Sequence, residues 1–87
     1  MIRKRITFYG TVQGVGFRWR ALHAARLYGC TGFVRNEWDG SVVMEIQGEE
    51  TRIDEALRAV RRSPYADIER TEELRLPVIR EDGFRAE

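Results

Sequence analysis

The chain predicts an α+β fold, a ferredoxin-like sandwich of order β-α-β-β-α-β, with both helices on one face of an antiparallel sheet. Three observations lead there. Apolar residues recur first at a period of two, then near 3.6, in that order along 87 residues. A glycine-rich run, Gly10 to Gly16, joins the first strand pattern to the first helix pattern. An Asp39-Gly40 pair joins two strand patterns, as in a hairpin. A chain of this length has room for one core, so residues 1–87 are expected to form a single domain.

Ile2, Ile6 and Phe8 are separated by even numbers, which predicts a first strand over Ile2–Tyr9. Phe17, Ala21, Ala24 and Tyr28 fall on one helical face with Ala25 beside them, so a helix is expected over Phe17–Tyr28, ended by Gly29. Thr31–Asn36 and Ser41–Gln47 read as the second and third strands around the turn Glu37–Gly40. A second helix is expected over Arg52–Arg62, capped by Thr51, with Ile53, Ala56, Leu57 and Val60 as its apolar stripe and Ser63-Pro64 as its stop. Ile68–Leu76 reads as a fourth strand. The tail from Val78 to Phe84 is expected to add a short edge strand, because Pro77 lacks the N–H that a central strand needs.

Composition excludes several functions. A net charge of +1 gives no general attraction to nucleic acid or membrane. The run Arg3-Lys4-Arg5 lies on a strand and reads as a solvated face rather than a binding tail. RNA-recognition domains share this architecture, but the third strand, Ser41-Val-Val-Met-Glu-Ile-Gln47, has no aromatic ring on which a base could stack. Cys30 is the only cysteine, so it reads as packing, with no internal disulfide and a reducing compartment. No apolar run approaches the roughly 20 residues that span a bilayer, and no signal peptide is evident. A cytoplasmic, monomeric protein is expected.

The chemistry concentrates in the glycine run. Gly10, Gly14 and Gly16 allow tight turns and leave no side chain between the backbone amides and a ligand. The first amides of a helix lack internal partners, and the helix dipole leaves that end partly positive. Arg18 adds a planar fork of donors, so the loop reads as a pocket for phosphate or carboxylate. Asn36 ends the second strand, which is expected to sit close to the first, so that Asn36 could reach toward the loop. On residue types alone, Arg18 reads more simply as a surface ion-pair partner and Asn36 as a turn-flanking amide. No cysteine–histidine pair, metal-ligand spacing or P-loop Lys-Ser/Thr ending is present, and His23 lies off the apolar stripe as a solvated side chain. Trp19 and Trp38 could rim a site, although each reads more simply as cover for a local apolar edge.

Gly10-Thr-Val-Gln-Gly-Val-Gly-Phe-Arg18 and Gly32-Phe-Val-Arg-Asn-Glu-Trp-Asp-Gly40 together resemble the signature of the acylphosphatase family, and the resemblance extends from Ile6 to Arg85. It implies hydrolysis of an acyl phosphate to carboxylate and inorganic phosphate, without metal or other cofactor. It also implies roles: Arg18 binds the phosphoryl group, the amides of Gly14, Val15, Gly16, Phe17 and Arg18 cradle it, and Asn36 positions the attacking water. The residue inventory suits that chemistry. A carboxylate whose acid has a pKa of about 4 leaves without prior protonation, so the reaction needs charge stabilisation and an in-line water rather than a general acid. The sequence departs from the family at Ala21, where many members carry threonine. A catalytically weak phosphate- or anion-binding module of the same fold is the alternative.

Overall fold

The computed structural model describes residues 1–87. Alternation places Ile6 and Phe8 of β1 (Ile2–Thr11) on the inner face, opposite Met44 and Val42 of β3 (Val42–Gly48) in an antiparallel register. β2 (Thr31–Asn36) pairs with the other side of β3, bringing Val34 level with Met44. α1 (Phe17–Leu27) and α2 (Glu50–Arg61) cover this face with Phe17, Ala21, Ala24, Ala25, Ile53, Ala56, Leu57 and Val60. All of these belong to one buried cluster, the expected two-layer sandwich. β4 (Asp67–Leu76) flanks β1 and β5 (Phe84–Ala86) flanks β2, so the five-stranded sheet runs β4-β1-β3-β2-β5. No helix is long and apolar enough to cross a membrane.

Three expectations change in detail. α2 begins at Glu50, before the expected Thr51 cap, with extended Glu49 as the preceding residue and no side-chain cap bond. The Glu49 carbonyl accepts from Ile53 N at 3.0 Å, and Glu50 offers a carboxylate to the positive helix end. The tail forms no strand over Val78–Gly83. That segment instead passes over the open face of the sheet, where Ile79 N donates to Gln47 Oε1 at 3.0 Å and Gln47 Nε2 donates to the Ile79 carbonyl at 2.7 Å. Having crossed from the β4 edge to the β2 edge, the chain enters β5 parallel to β2, so the sheet is mixed at that edge rather than wholly antiparallel.

The same crossing explains why Arg3 is not solvated. It is only 2% exposed. Its Nε and Nη2 donate to Glu45 Oε1 at 3.0 and 2.9 Å, and its Nη1 donates to Gln47 Oε1 at 3.2 Å and to Glu81 of the crossing segment. Arg5, at the solvent margin, bonds the second Glu45 oxygen at 2.6 Å. Thr31 Oγ1 donates to Glu81 Oε1 at 3.0 Å, so the network joins β1, β2, β3 and the crossing segment. Cys30 is buried as expected, and burial pushes its thiol pKa up, which suits packing rather than reactivity.

Burial alone would raise the Glu45 carboxyl, but the Arg5 and Arg3 guanidiniums more than offset it and hold its pKa below the ordinary glutamate value of 4.5. A carboxyl depressed in the folded state adds stability above its unfolded pKa and loses it as pH falls through the folded value. Denaturant melts should therefore show stability declining as pH drops below 4.5. Glu45→Gln should be less stable at neutral pH and show a flatter acid limb. Arg3→Ala, which leaves Glu45 and Glu81 without their shared cation, should cost about 3–5 kcal/mol.

Candidate active site

The loop between β1 and α1 is built from two fixed points. Val12 is buried in the core, and Phe17 packs edge-on against Phe8 with ring centroids 5.0 Å apart and planes at 71°. Between them the backbone turns through Gly14 at φ +74° and Gly16 at φ +76°. A Cβ at either glycine would meet nothing within 4 Å, so torsion rather than crowding demands glycine there. Gly16 is the N-cap of α1, and its carbonyl accepts from Arg20 N at 3.1 Å. The amides of Gly14 through Arg18 donate no hydrogen bond to any protein acceptor. No acidic residue occupies the first turn of α1, and no side chain caps it, so nothing offsets the positive end of the helix.

Gly14, Gly16, Phe17 and Arg18 of this run line a cavity of about 170 Å³ together with Val12, Trp19 and Asn36. The sequence-predicted residues Gly14, Gly16, Phe17, Arg18 and Asn36 thus line one cavity. Val15 does not line it; its side chain leans back against the core and anchors the loop. Arg18 is half-exposed, and its Nη1 donates to the main-chain oxygen of Glu87, the residue after β5. Asn36 is exposed at the end of β2, and its carboxamide bonds to no protein group.

Asn36 reaches the loop from a strand one removed from β1. β2 is not adjacent to β1; β3 lies between them. The loop after β1 leans across the end of β3 instead, and the contact is made by Gln13, whose Nε2 donates to the carbonyls of Glu37 at 2.7 Å and Ser41 at 2.9 Å. Sequence reasoning passed over Gln13. Its one signal was an amide side chain inside the glycine run, where a short or absent side chain would suffice for turning.

Other expectations resolve individually. His23 is exposed, and Trp19 stacks on it with centroids 4.1 Å apart and planes at 41°. Trp38 is 97% exposed and covers no apolar edge, contrary to the simpler reading, because the turn Glu37–Gly40 holds it clear of the sheet. Ala21 is fully buried among core side chains and is not part of the cavity wall, so the departure from threonine is absorbed in packing. In the same turn as Trp38, Asp39 Oδ1 accepts from Ser41 Oγ at 2.6 Å and Ser41 N at 2.9 Å, and these bonds hold the Asp39 carboxyl below its ordinary pKa. Nowhere do three His, Cys, Asp or Glu side chains converge as metal ligands would.

Because each loop glycine has open space at its missing Cβ, Gly14→Ala and Gly16→Ala should fold. Each should lose about 1–2 kcal/mol from the left-handed torsion alone. Relief of that strain turns the amides away from the cavity, so isothermal titration should show weaker binding of inorganic phosphate in both variants.

The chain is similar to known proteins along nearly its whole length. A sequence profile of the acylphosphatase family matches residues 4–86. An acylphosphatase of Oceanobacillus iheyensis is 38% identical over 78 residues, covering 90% of this chain and 85% of that protein. One of Lactiplantibacillus plantarum is 51% identical over 55 residues, covering 63% of this chain and 61% of that protein. Among solved structures, an acylphosphatase from Bacillus subtilis superposes with a TM-score of 0.92 at 28% identity, covering 99% of this chain and 98% of that one. With the matched profile spanning nearly every residue and the fold shared from end to end, this chain belongs to the acylphosphatase family, hydrolases that act on acyl phosphates.

Proposed function

We propose that this chain hydrolyses the carboxyl–phosphate bond of small acyl phosphates, with the amides of Gly14 to Arg18 and the Arg18 guanidinium holding the phosphoryl group and Asn36 orienting the water. The observation that carries this reading is the convergence of unpartnered amides, a guanidinium and an unpartnered carboxamide on one cavity. Donors of that kind match the charge on the non-bridging phosphoryl oxygens, which is where a loose phosphoryl-transfer transition state needs it. Arg18 gives up its bond to Glu87 and turns its fork to the incoming anion.

The steps balance without a side-chain nucleophile. A water whose hydrogen is accepted by Asn36 Oδ1 attacks phosphorus in line with the scissile bond. The P–O bond to the acyl group breaks, and its electron pair leaves with the carboxylate. A proton from the water ends on a phosphate oxygen. The carboxylate departs as a weak base, so no acid need protonate it. The neighbours of the cavity are amide nitrogens, a guanidinium and a carboxamide, none of which is a strong metal ligand. The Arg18–Glu87 contact also suits a second reading, an anion-binding module in which the main-chain oxygen competes with substrate and turnover is slow.

Phosphate release from acetyl and benzoyl phosphate separates the two. The wild type should turn over both substrates in the presence of EDTA, with a rate nearly flat between about pH 6 and 8. Arg18→Ala should lose about 2.7–4 kcal/mol, roughly a hundred- to a thousandfold, and Arg18→Lys should recover little because it lacks the fork. Asn36→Ala should lower kcat while inorganic phosphate still inhibits normally. Equal rates in all the proteins would overturn the assignment; phosphate binding without turnover in the wild type would favour the binding module.

A further inference from the structure

From the geometry we infer that Gln13 is a positioning residue: its carboxamide clamps the phosphate loop to the β2–β3 turn and so sets Asn36 at the distance from the cradle that the reaction needs. This rests on the proposed role of Asn36. Gln13 follows Val12, which is fixed in the core, and precedes Gly14, which is fixed by its turn, so its own backbone has little freedom. The side chain is half-buried and crosses to the turn that follows Asn36. That turn is rigid in itself: Glu37 N donates to the Ser41 carbonyl at 2.9 Å, Gly40 N to the Glu37 carbonyl at 3.2 Å, and Ser41 N to Asp39 Oδ1 at 2.9 Å.

Two rigid pieces thus line one cavity, one bearing the amides and Arg18, the other bearing Asn36. The two bonds from Gln13 are the only hydrogen bonds between residues 12–18 and 36–41. Both go to carbonyls, and one –NH₂ group supplies both hydrogens. Only a carboxamide among the uncharged side chains of similar reach can do this, since serine or threonine has one hydrogen to give, and glutamate has only acceptors. The Asn36 carboxamide has no hydrogen bond of its own; its backbone is held opposite Val42 at the end of the β2–β3 ladder, and the next residue, Glu37, is one end of the clamp. A small misplacement of a group that orients a nucleophile can cost about a hundredfold in rate.

A double-mutant cycle with Asn36 tests this. Gln13→Ala should lower kcat on acetyl phosphate by about ten- to a hundredfold, with inhibition by inorganic phosphate changed less than about twofold, since the cradle and Arg18 are untouched. In the Asn36→Ala background the same substitution should lower kcat by no more than about twofold. Gln13→Glu, which keeps the size but sets oxygens against both carbonyls, should be at least as damaging as Gln13→Ala. Thermal melts run alongside separate a structural role. A lowered melting temperature with unchanged kcat well below it would overturn the inference. So would an equal fall in kcat in both backgrounds, or a matching loss of phosphate affinity. If Asn36→Ala alone leaves kcat intact, the role proposed for Asn36 fails first, and the clamp has nothing to position.

Discussion

The left-handed torsions at Gly14 and Gly16 are the constraint on which the rest of the site depends. They fold the backbone so that the amides of Gly14 to Arg18 find no sheet or helix partner and Gly14, Gly16, Phe17 and Arg18 line one cavity. Orphaned amides are a cost in folding unless water or a ligand satisfies them. The fold tolerates that cost because both ends of the loop are anchored by buried side chains, Val12 on one side and Phe17 on the other. An acidic cap at the helix start would have satisfied the amides and occupied the site; its absence leaves the positive end of α1 available to an anion.

The opposite face of the sheet serves the same site indirectly. Arg3, Glu45, Gln47 and Glu81 hold the chain as it passes from β4 over the sheet, and that path decides where β5 begins. β5 then runs along β2, with Glu87 N donating to the Val34 carbonyl at 2.8 Å, and delivers the Glu87 main-chain oxygen to Arg18. A buried ionic network is an inefficient way to gain stability, since desolvation offsets much of the Coulombic attraction. Here its value lies in fixing one path for a segment that has no strand or helix of its own.

Much of this is legible in the sequence because it rests on local pattern. The period of apolar residues locates both helices and the first four strands, and Gly14, Gly16, Arg18 and Asn36, singled out by residue type and motif, line one cavity. What escapes depends on contacts between residues far apart in the chain. Arg3 reads as solvated because nothing local shows that residues 77–83 will cover it; its partners Glu45 and Glu81 are 42 and 78 positions away. Strand order β1-β3-β2 cannot be read from alternation, so the sequence places Asn36 near the loop without showing that β3 lies between. Gln13 goes unseen for the same cause: its bonds span 24 and 28 residues. Thr51 fails as a cap because extended Glu49 turns the chain into the helix earlier, with its carbonyl taking the first helical bond.

The central claim is that the amides of Gly14 to Arg18, together with Arg18 and Asn36, form the phosphate site. An amide-resolved NMR titration with inorganic phosphate tests it most directly. The account predicts that the backbone resonances of Gly14 through Arg18 and the Arg18 side chain move together along one binding isotherm, with the Asn36 side-chain amide following. Shifts confined to another cationic surface, such as the depression walled by Arg26, Gly83 and Arg85, with the loop amides unmoved, would contradict it.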